Sequence, residues 1–290
     1  MSTQLADGTV NAQAAQPQHG VWDARLVLAF ERRRSRTTMT RRVHEGPLVV
    51  QKPLYPEGAD LCQCLIVHPP AGIAGGDRLS LDVSVGGGAN VQLTTPGAAK
   101  WYRTSGLHAS QALHARVASG ALLEWLPQGT IVYDGALARS TARIELAGRA
   151  IFIGAEVVAL GRTASGERFC CGEWRQCFEI VRDGALIWSE RMRLEAMSPL
   201  LRSPVGLNGA PVFGTFVGVS ARVDDAWMPG LRAIAPAQGE AAVTRLPDLV
   251  VARYRGHSME AATAYFVALW TLLRPAIAGR EAVRPRIFAT

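Results

Sequence analysis

RLSLDVSVGGGANVQLTT, residues 78–95, sets large apolar side chains at every second position: Leu79, Leu81, Val83 and Val85 alternate with Ser80, Asp82 and Ser84. An extended chain puts these two sets on opposite faces, so the stretch predicts a strand with one buried side. Gly86-Gly87-Gly88 predicts a turn, and Val91, Leu93 and Thr95 predict a strand that returns beside the first as a hairpin. Outward from here the same spacing recurs. Asp183-Gly184 separates FEIVR from ALIWSERMRL and suits the positive φ angles of a tight type I′ turn, which predicts a second hairpin. Further strands are predicted over 121–126, 131–133, 151–158, 212–219 and 249–253.

Helical spacing is clear only near the end of the chain. Phe266, Leu269, Trp270 and Leu273 follow the i, i+3, i+4, i+7 rule, Ser258 is placed to cap the N-terminus, and Pro275 is expected to limit continuation. The stripe reads as a packing face. The expected fold is therefore mainly β with a small C-terminal helical part. Residues 1–20 have almost no large apolar side chain and predict a disordered tail, leaving 21–290 as a single domain in which no internal repeat is discernible.

With 290 residues, 48% hydrophobic and 19% charged, the chain has material for a sizeable core without staples and an apolar surface of the kind a partner covers. Its formal net charge of +7 is concentrated in one stretch holding Arg32, Arg33, Arg34, Arg36, Arg41 and Arg42. Ser35, Thr37, Thr38, Met39 and Thr40 interrupt it without aromatics or a recognition helix, so no nucleic-acid partner is expected. A solvated strand face or a docking patch for an acidic protein fits better. The five cysteines make no regular framework, which favours a reducing compartment. The first twenty residues lack the basic-then-apolar order of a targeting segment, and no stretch reaches ~18 uninterrupted apolar residues. A cytoplasmic protein without a membrane partner is expected.

The glycine clusters AGIAGGD at 71–77 and GGGAN at 86–90 do not continue into the Gly-Lys-Ser/Thr that holds phosphate and magnesium, so they read as turns. Cys62 and Cys64 share a strand face with Ile66 and His68. The pair resembles a soft metal site, but no second Cys or His pair completes one, and burial in the core is the simpler reading. His108 and His114 are six apart and can also share a face. Two carboxylates stand in more suggestive surroundings. Asp77 closes the turn GGD, and Glu167 follows the loop GRTASG. Each can pin local backbone donors or face a cavity. As an acid/base pair they would serve a hydrolase or lyase, although no catalytic signature accompanies them.

Longer blocks carry a resemblance. GPLVVQKPLYPEG at 46–58, HPPAGIAGGDRLSLDV at 68–83 and TTPGAAKWYR at 94–103, followed by LEWLPQGTIVYDGA, GRTASGERF, SPVGLNGAPVFGT and PRIFAT, resemble in order the signature core of the UreD (UreH) family over about residues 22–290. The resemblance implies stacked, layered β-sheets of β-helix-like form with a small helical part. It implies a non-catalytic scaffold that binds UreF, which recruits the nickel-carrying GTPase UreG, and that docks with them on apo-urease while two nickel ions and a carbamylated lysine are installed. No tightly bound cofactor is implied, only nickel in transit, with Asp77 and Glu167 as transient metal sites along an internal channel. Two departures stand out: Gly129 replaces the glutamate common in the family's Leu-Pro-Gln-Glu-Thr, and Phe288 replaces a terminal tryptophan.

Because the chain has no phosphate loop, the purified protein is expected neither to bind nor to hydrolyse GTP, which an equilibrium nucleotide-binding titration of the single chain checks.

Overall fold

The computed structural model describes residues 20–289, so nearly all of the expected N-terminal tail lies outside the described residues. The strands, in chain order, are β1 (Asp23–Arg33), β2 (Arg36–Glu45), β3 (Val49–Val50), β4 (Leu61–Val67), β5 (Arg78–Val85) and β6 (Asn90–Thr94). Then come β7 (Ala99–Trp101), β8 (Ala109–Val117), β9 (Leu122–Trp125), β10 (Thr130–Val132), β11 (Leu137–Leu146) and β12 (Ile151–Leu160). The last are β13 (Glu173–Arg182), β14 (Ala185–Glu195), β15 (Val212–Val219), β16 (Glu240–Leu246) and β17 (Leu249–Gly256), with helices α1 (Met228–Ala233) and α2 (Met259–Ala278).

Two sheets form a layered, solenoid-like body. Sheet one has the order β14-β13-β11-β8-β5-β1-β2, and sheet two follows β16-β17-β15-β12-β9-β6-β4-β3, with short β7 and β10 alongside β12. From β5 onward the chain alternates between them: β5, β8, β11 and β13 stack in parallel in sheet one, while β6, β9 and β12 stack in parallel in sheet two. Each circuit is a rung on the one before. Rung equivalence is visible in the register, where Leu81, Leu113, Ala142 and Phe178 lie side by side on successive strands. The repeat is one of backbone only. The rungs differ in length and in side chains, which is why no repeat is discernible in the sequence.

The hairpin expected across Gly86–Gly88 does not form. The turn exists, with Ala89 N–H donating to Gly86 O at 3.0 Å and Gly88 at φ +68°, but it carries the chain from sheet one to sheet two. Leu81, Val83 and Val85 therefore meet Val91 and Leu93 across the core instead of beside it. Alternation specifies a buried face and leaves the hydrogen-bonding neighbour open. The second hairpin does form: β13 and β14 pair antiparallel, and Asp183 and Gly184 take φ +48° and +83°. The other five predicted strands correspond to β9, β10, β12, β15 and β17.

The arginine stretch lies on the β1–β2 hairpin, where β2 is the exposed edge of sheet one. Clustered charge on such an edge discourages another strand from adding to it. Cys62 and Cys64 are fully buried core residues with their sulfurs 3.8 Å apart.

Helix α2 covers the outer face of sheet two, and Phe266, Leu269, Trp270 and Leu273 are all buried there. The Ser258 hydroxyl caps it by accepting Ala261 N–H at 3.0 Å. Pro275 does not end the helix. In the last turn it costs only the bond to Thr271 O, and the helix runs on to Gly279, whose N–H donates to Pro275 O. Among the described residues α2 alone is long and apolar enough to cross a membrane, and half of that stretch is buried.

The helix is also fastened by charge. Arg274, with no exposed surface, donates from Nε and Nη2 to both Glu124 oxygens at 2.9 and 3.0 Å, and from Nη1 and Nη2 to Glu57 at 2.6 and 3.2 Å. Glu124 is completed by Trp270 Nε1 at 2.8 Å and Gln92 Nε2 at 2.9 Å. Removing the guanidinium would leave two carboxylates unpaired in the interior. Arg274→Ala is expected to cost about 3–5 kcal/mol of folding free energy, measured by urea unfolding against the unsubstituted chain.

Candidate functional site

The corners that lead into sheet one hold both carboxylates singled out in the sequence. Asp77, 2% exposed, sits just before β5 and accepts N–H from Trp22 at 2.9 Å and from Ala74 at 2.8 Å. Glu167 lies in the loop before β13, where it accepts the Arg162 backbone N–H and one guanidinium N–H, each at 3.0 Å. The Arg162 guanidinium holds its carboxyl below the usual glutamate range against partial burial. Both residues thus pin local backbone. The strands they precede are three places apart in sheet one, about 14 Å at the usual spacing. That exceeds the reach of an acid/base pair, which needs ~5–9.5 Å. The structure does not bring Asp77 and Glu167 together.

What it does bring together was hidden in the sequence. On the inner face of sheet one, Gln111 of β8, Ser140 of β11 and Gln176 of β13 occupy one register position across three adjacent parallel strands. This polar row crosses an interior that is otherwise apolar. Gln111 lines a cavity of about 410 Å³ between the sheets, whose walls also include His68, Trp125 and Leu81. At the other end, Gln176 Nε2 donates to Glu156 of β12 at 2.7 Å.

Glu156 faces Glu190 of β14. Burial, and then the charge of Glu190, push the Glu156 carboxyl up to about 7. Glu156 itself is half-buried. Glu190 accepts the Thr215 hydroxyl at 3.1 Å through Oε1, with the Arg253 guanidinium 3.7 Å away, and its buried Oε2 has no protein partner. Glu190 and Thr215 also line an open surface cleft of about 310 Å³, whose walls include the exposed residues Glu240 and Arg253. A polar row thus leads from the cavity to the cleft.

Two carboxylates this close share charge unfavourably unless a proton or a cation sits between them. At neutral pH the pair can trade a proton for a cation, with Glu156, Glu190 and the Thr215 hydroxyl supplying oxygen donors. Among the described residues no group of three His, Cys, Asp or Glu side chains is placed to hold a metal. Glu156 had one legible signal, a lone charge inside the ten-residue apolar strand IFIGAEVVAL. Gln111, Ser140, Gln176 and Glu190 had none, since only rung stacking aligns them.

Other candidates are dispersed. Cys170 and Cys171 are exposed in the loop before β13, where both backbone N–H groups donate to Asp134 at 2.7 Å. His114 lies on the outer face of sheet one, 3.3 Å from Glu145. Gly129 takes φ +99°, and a Cβ there would come within 2.8 Å of Met259 Cε and 3.0 Å of Val157 O. This corner is built for glycine, so a glutamate would need a different backbone. Phe288 packs on the α2 cluster.

A family model described as the UreD urease accessory protein matches residues 23–289. The chain is similar to the urease accessory protein UreD of Azoarcus sp. (strain BH72), 49% identical over 277 residues, covering 96% of each chain. It is 47% identical over 281 residues to that of Dechloromonas aromatica, covering 95% of this chain and 98% of the relative. To that of Pseudomonas fluorescens (strain Pf0-1) it is 50% identical over 270 residues, covering 93% and 95%.

The raised Glu156 carboxyl has a measurable consequence. The folded chain keeps a proton that the unfolded chain releases between its ordinary value of 4.5 and about 7. The stability contributed by that protonated carboxyl is full below this window and lost as pH rises through it, by up to about 3 kcal/mol. Glu156→Gln should abolish that part of the pH dependence, as read from urea unfolding near pH ~5 and ~8.

Proposed function

The chain belongs to the UreD urease accessory protein family, and we propose that within urease maturation it is a non-catalytic scaffold whose interior passes nickel to the apo-enzyme. The observation that carries this reading is the Glu156–Glu190 pair on the inner faces of the two sheets, with Glu190 buried in the wall of an open cleft and bearing one carboxylate oxygen without a protein partner. Nickel here is cargo. A divalent ion crossing an apolar core needs oxygen donors strong enough to replace part of its water and few enough to let it leave. Two carboxylates and a hydroxyl meet that description, and the charge they place in the core offsets the cost of dehydrating the ion.

The proposed route runs from the His68 side of the larger cavity, along Gln111, Ser140 and Gln176, to Glu156 and Glu190 and out by Thr215. Asp77 and Glu167 take flanking places. Asp77 lies close enough to His68 to act on it electrostatically, so its charge draws a cation toward the cavity. Glu167 is held by Arg162, which a cation would have to displace. The proposed partners are UreF, the GTPase UreG and the apo-urease subunits, in the cytoplasm. A separate GTPase partner agrees with the missing phosphate loop.

The test is urease activation in cells producing the full set of maturation proteins. Glu156→Gln with Glu190→Gln is expected to lower activation about tenfold, equivalent to about 1.4 kcal/mol in a rate or occupancy, while the chain's complex with UreF and UreG still co-purifies. Asp77→Ala and Glu167→Ala are expected to lower it less. Full activation by the soluble Glu156→Gln, Glu190→Gln protein would remove the nickel route.

A further inference from the structure

The inner face of β4 carries Cys62, Cys64 and Ile66 at every second position, and one step further the chain reaches His68. The first three are buried in the core, whereas His68 reaches the wall of the 410 Å³ cavity. Its Nε2 is buried and has no protein partner.

The segment that carries this ring is held firmly. Ala71 N–H donates to His68 O at 2.8 Å, Ile73 N–H to Lys100 O at 2.7 Å, and Tyr102 N–H to Ile73 O at 2.9 Å. A Cβ on Gly72 would fall 2.1 Å from the Tyr102 ring, and one on Gly75 2.0 Å from Thr104 Oγ1. The glycines of HPPAGIAGGD therefore let the loop lie flat against the next rung, and the imidazole is placed by backbone packing. Burial pushes the His68 imidazole down, partly opposed by the Asp77 charge, which favours the neutral ring that can act as a donor.

We propose that His68 Nε2 is a nitrogen donor at the cavity end of the passage and makes it selective for nickel and similar borderline cations over magnesium and calcium. The proposal rests on the nickel-route reading above and adds what that route lacks. The Glu156–Glu190 pair offers oxygen only, and oxygen donors suit magnesium and calcium as well as nickel. Imidazole suits nickel, zinc and copper, while magnesium and calcium gain little from it. Nε2 lies just behind the cavity wall, so a turn of the ring brings it to the cavity, where a single imidazole distinguishes these ions without enclosing them.

The experiment uses the purified full chain, with nickel chloride as probe and a large excess of magnesium chloride as competitor, in equilibrium dialysis and nickel X-ray absorption. His68→Gln and His68→Asn are compared with the unsubstituted chain and with His108→Gln as a control. Both His68 variants are expected to retain about tenfold less nickel, about 1.4 kcal/mol, and to lose the imidazole scattering signature, with thermal unfolding unchanged in at least one of them. His108→Gln should keep both. Nickel retention and imidazole scattering equal to the unsubstituted chain in either folded His68 variant overturns the proposal. If in that case Glu156→Gln with Glu190→Gln still lowers activation, only the His68 assignment falls. If that double variant activates fully, the route falls as well.

Discussion

Parallel, in-register stacking of rungs is the constraint from which the rest of this structure follows. Each inward side chain lies beside its counterpart on the next strand about 4.8 Å away, so a polar residue facing the core meets its own row first. Where the row is apolar, as at Leu81, Leu113, Ala142 and Phe178, it contributes to a closed core. Where it reads Gln111, Ser140 and Gln176, the same geometry lays a polar line through that core. The line ends at two glutamates because β12 and β14 bring Glu156 and Glu190 to face each other between the sheets.

The same chemical group serves two purposes in the two interfaces of sheet two. Glu124 faces the helix side and accepts four hydrogen bonds, two of them from a buried guanidinium. Its charge is neutralised and its lone pairs are filled, which marks a structural fastening. Glu190 faces the other side, accepts one hydroxyl and keeps an oxygen without a protein partner. Burial is comparable. The difference in satisfaction separates the residue that holds α2 in place from the residue that the proposed route uses, whose cationic neighbour is the Arg253 guanidinium at 3.7 Å. Asp77 and Glu167 lie between these extremes, each committed to backbone donors in a corner.

The periphery is arranged to protect this interior. Arginines line the exposed edge strand of sheet one, α2 seals the outer face of sheet two, and the corner glycines let successive rungs pack closely enough to leave defined cavities. Gly129 shows how strict a corner can be, since at φ +99° a Cβ would come within 3.0 Å of Val157 O. On the proposed route the carboxylates, Glu156 and Glu190, come from strands.

The sequence by itself determined the local elements: the alternation that makes β5 a half-buried strand, the Asp183-Gly184 hairpin, the apolar stripe and Ser258 cap of α2, and the blocks that identify the family. These depend on backbone periods of two and 3.6 residues and on turn chemistry, all set within a few positions. Only the tertiary structure decided that the strand after Gly86–Gly88 joins the opposite sheet, and that Pro275 costs a single bond instead of ending α2. It alone aligned Gln111, Ser140 and Gln176, and it alone set Glu156 against Glu190. Those outcomes depend on rungs of unequal length coming into register, a long-range condition that no local pattern of side chains encodes.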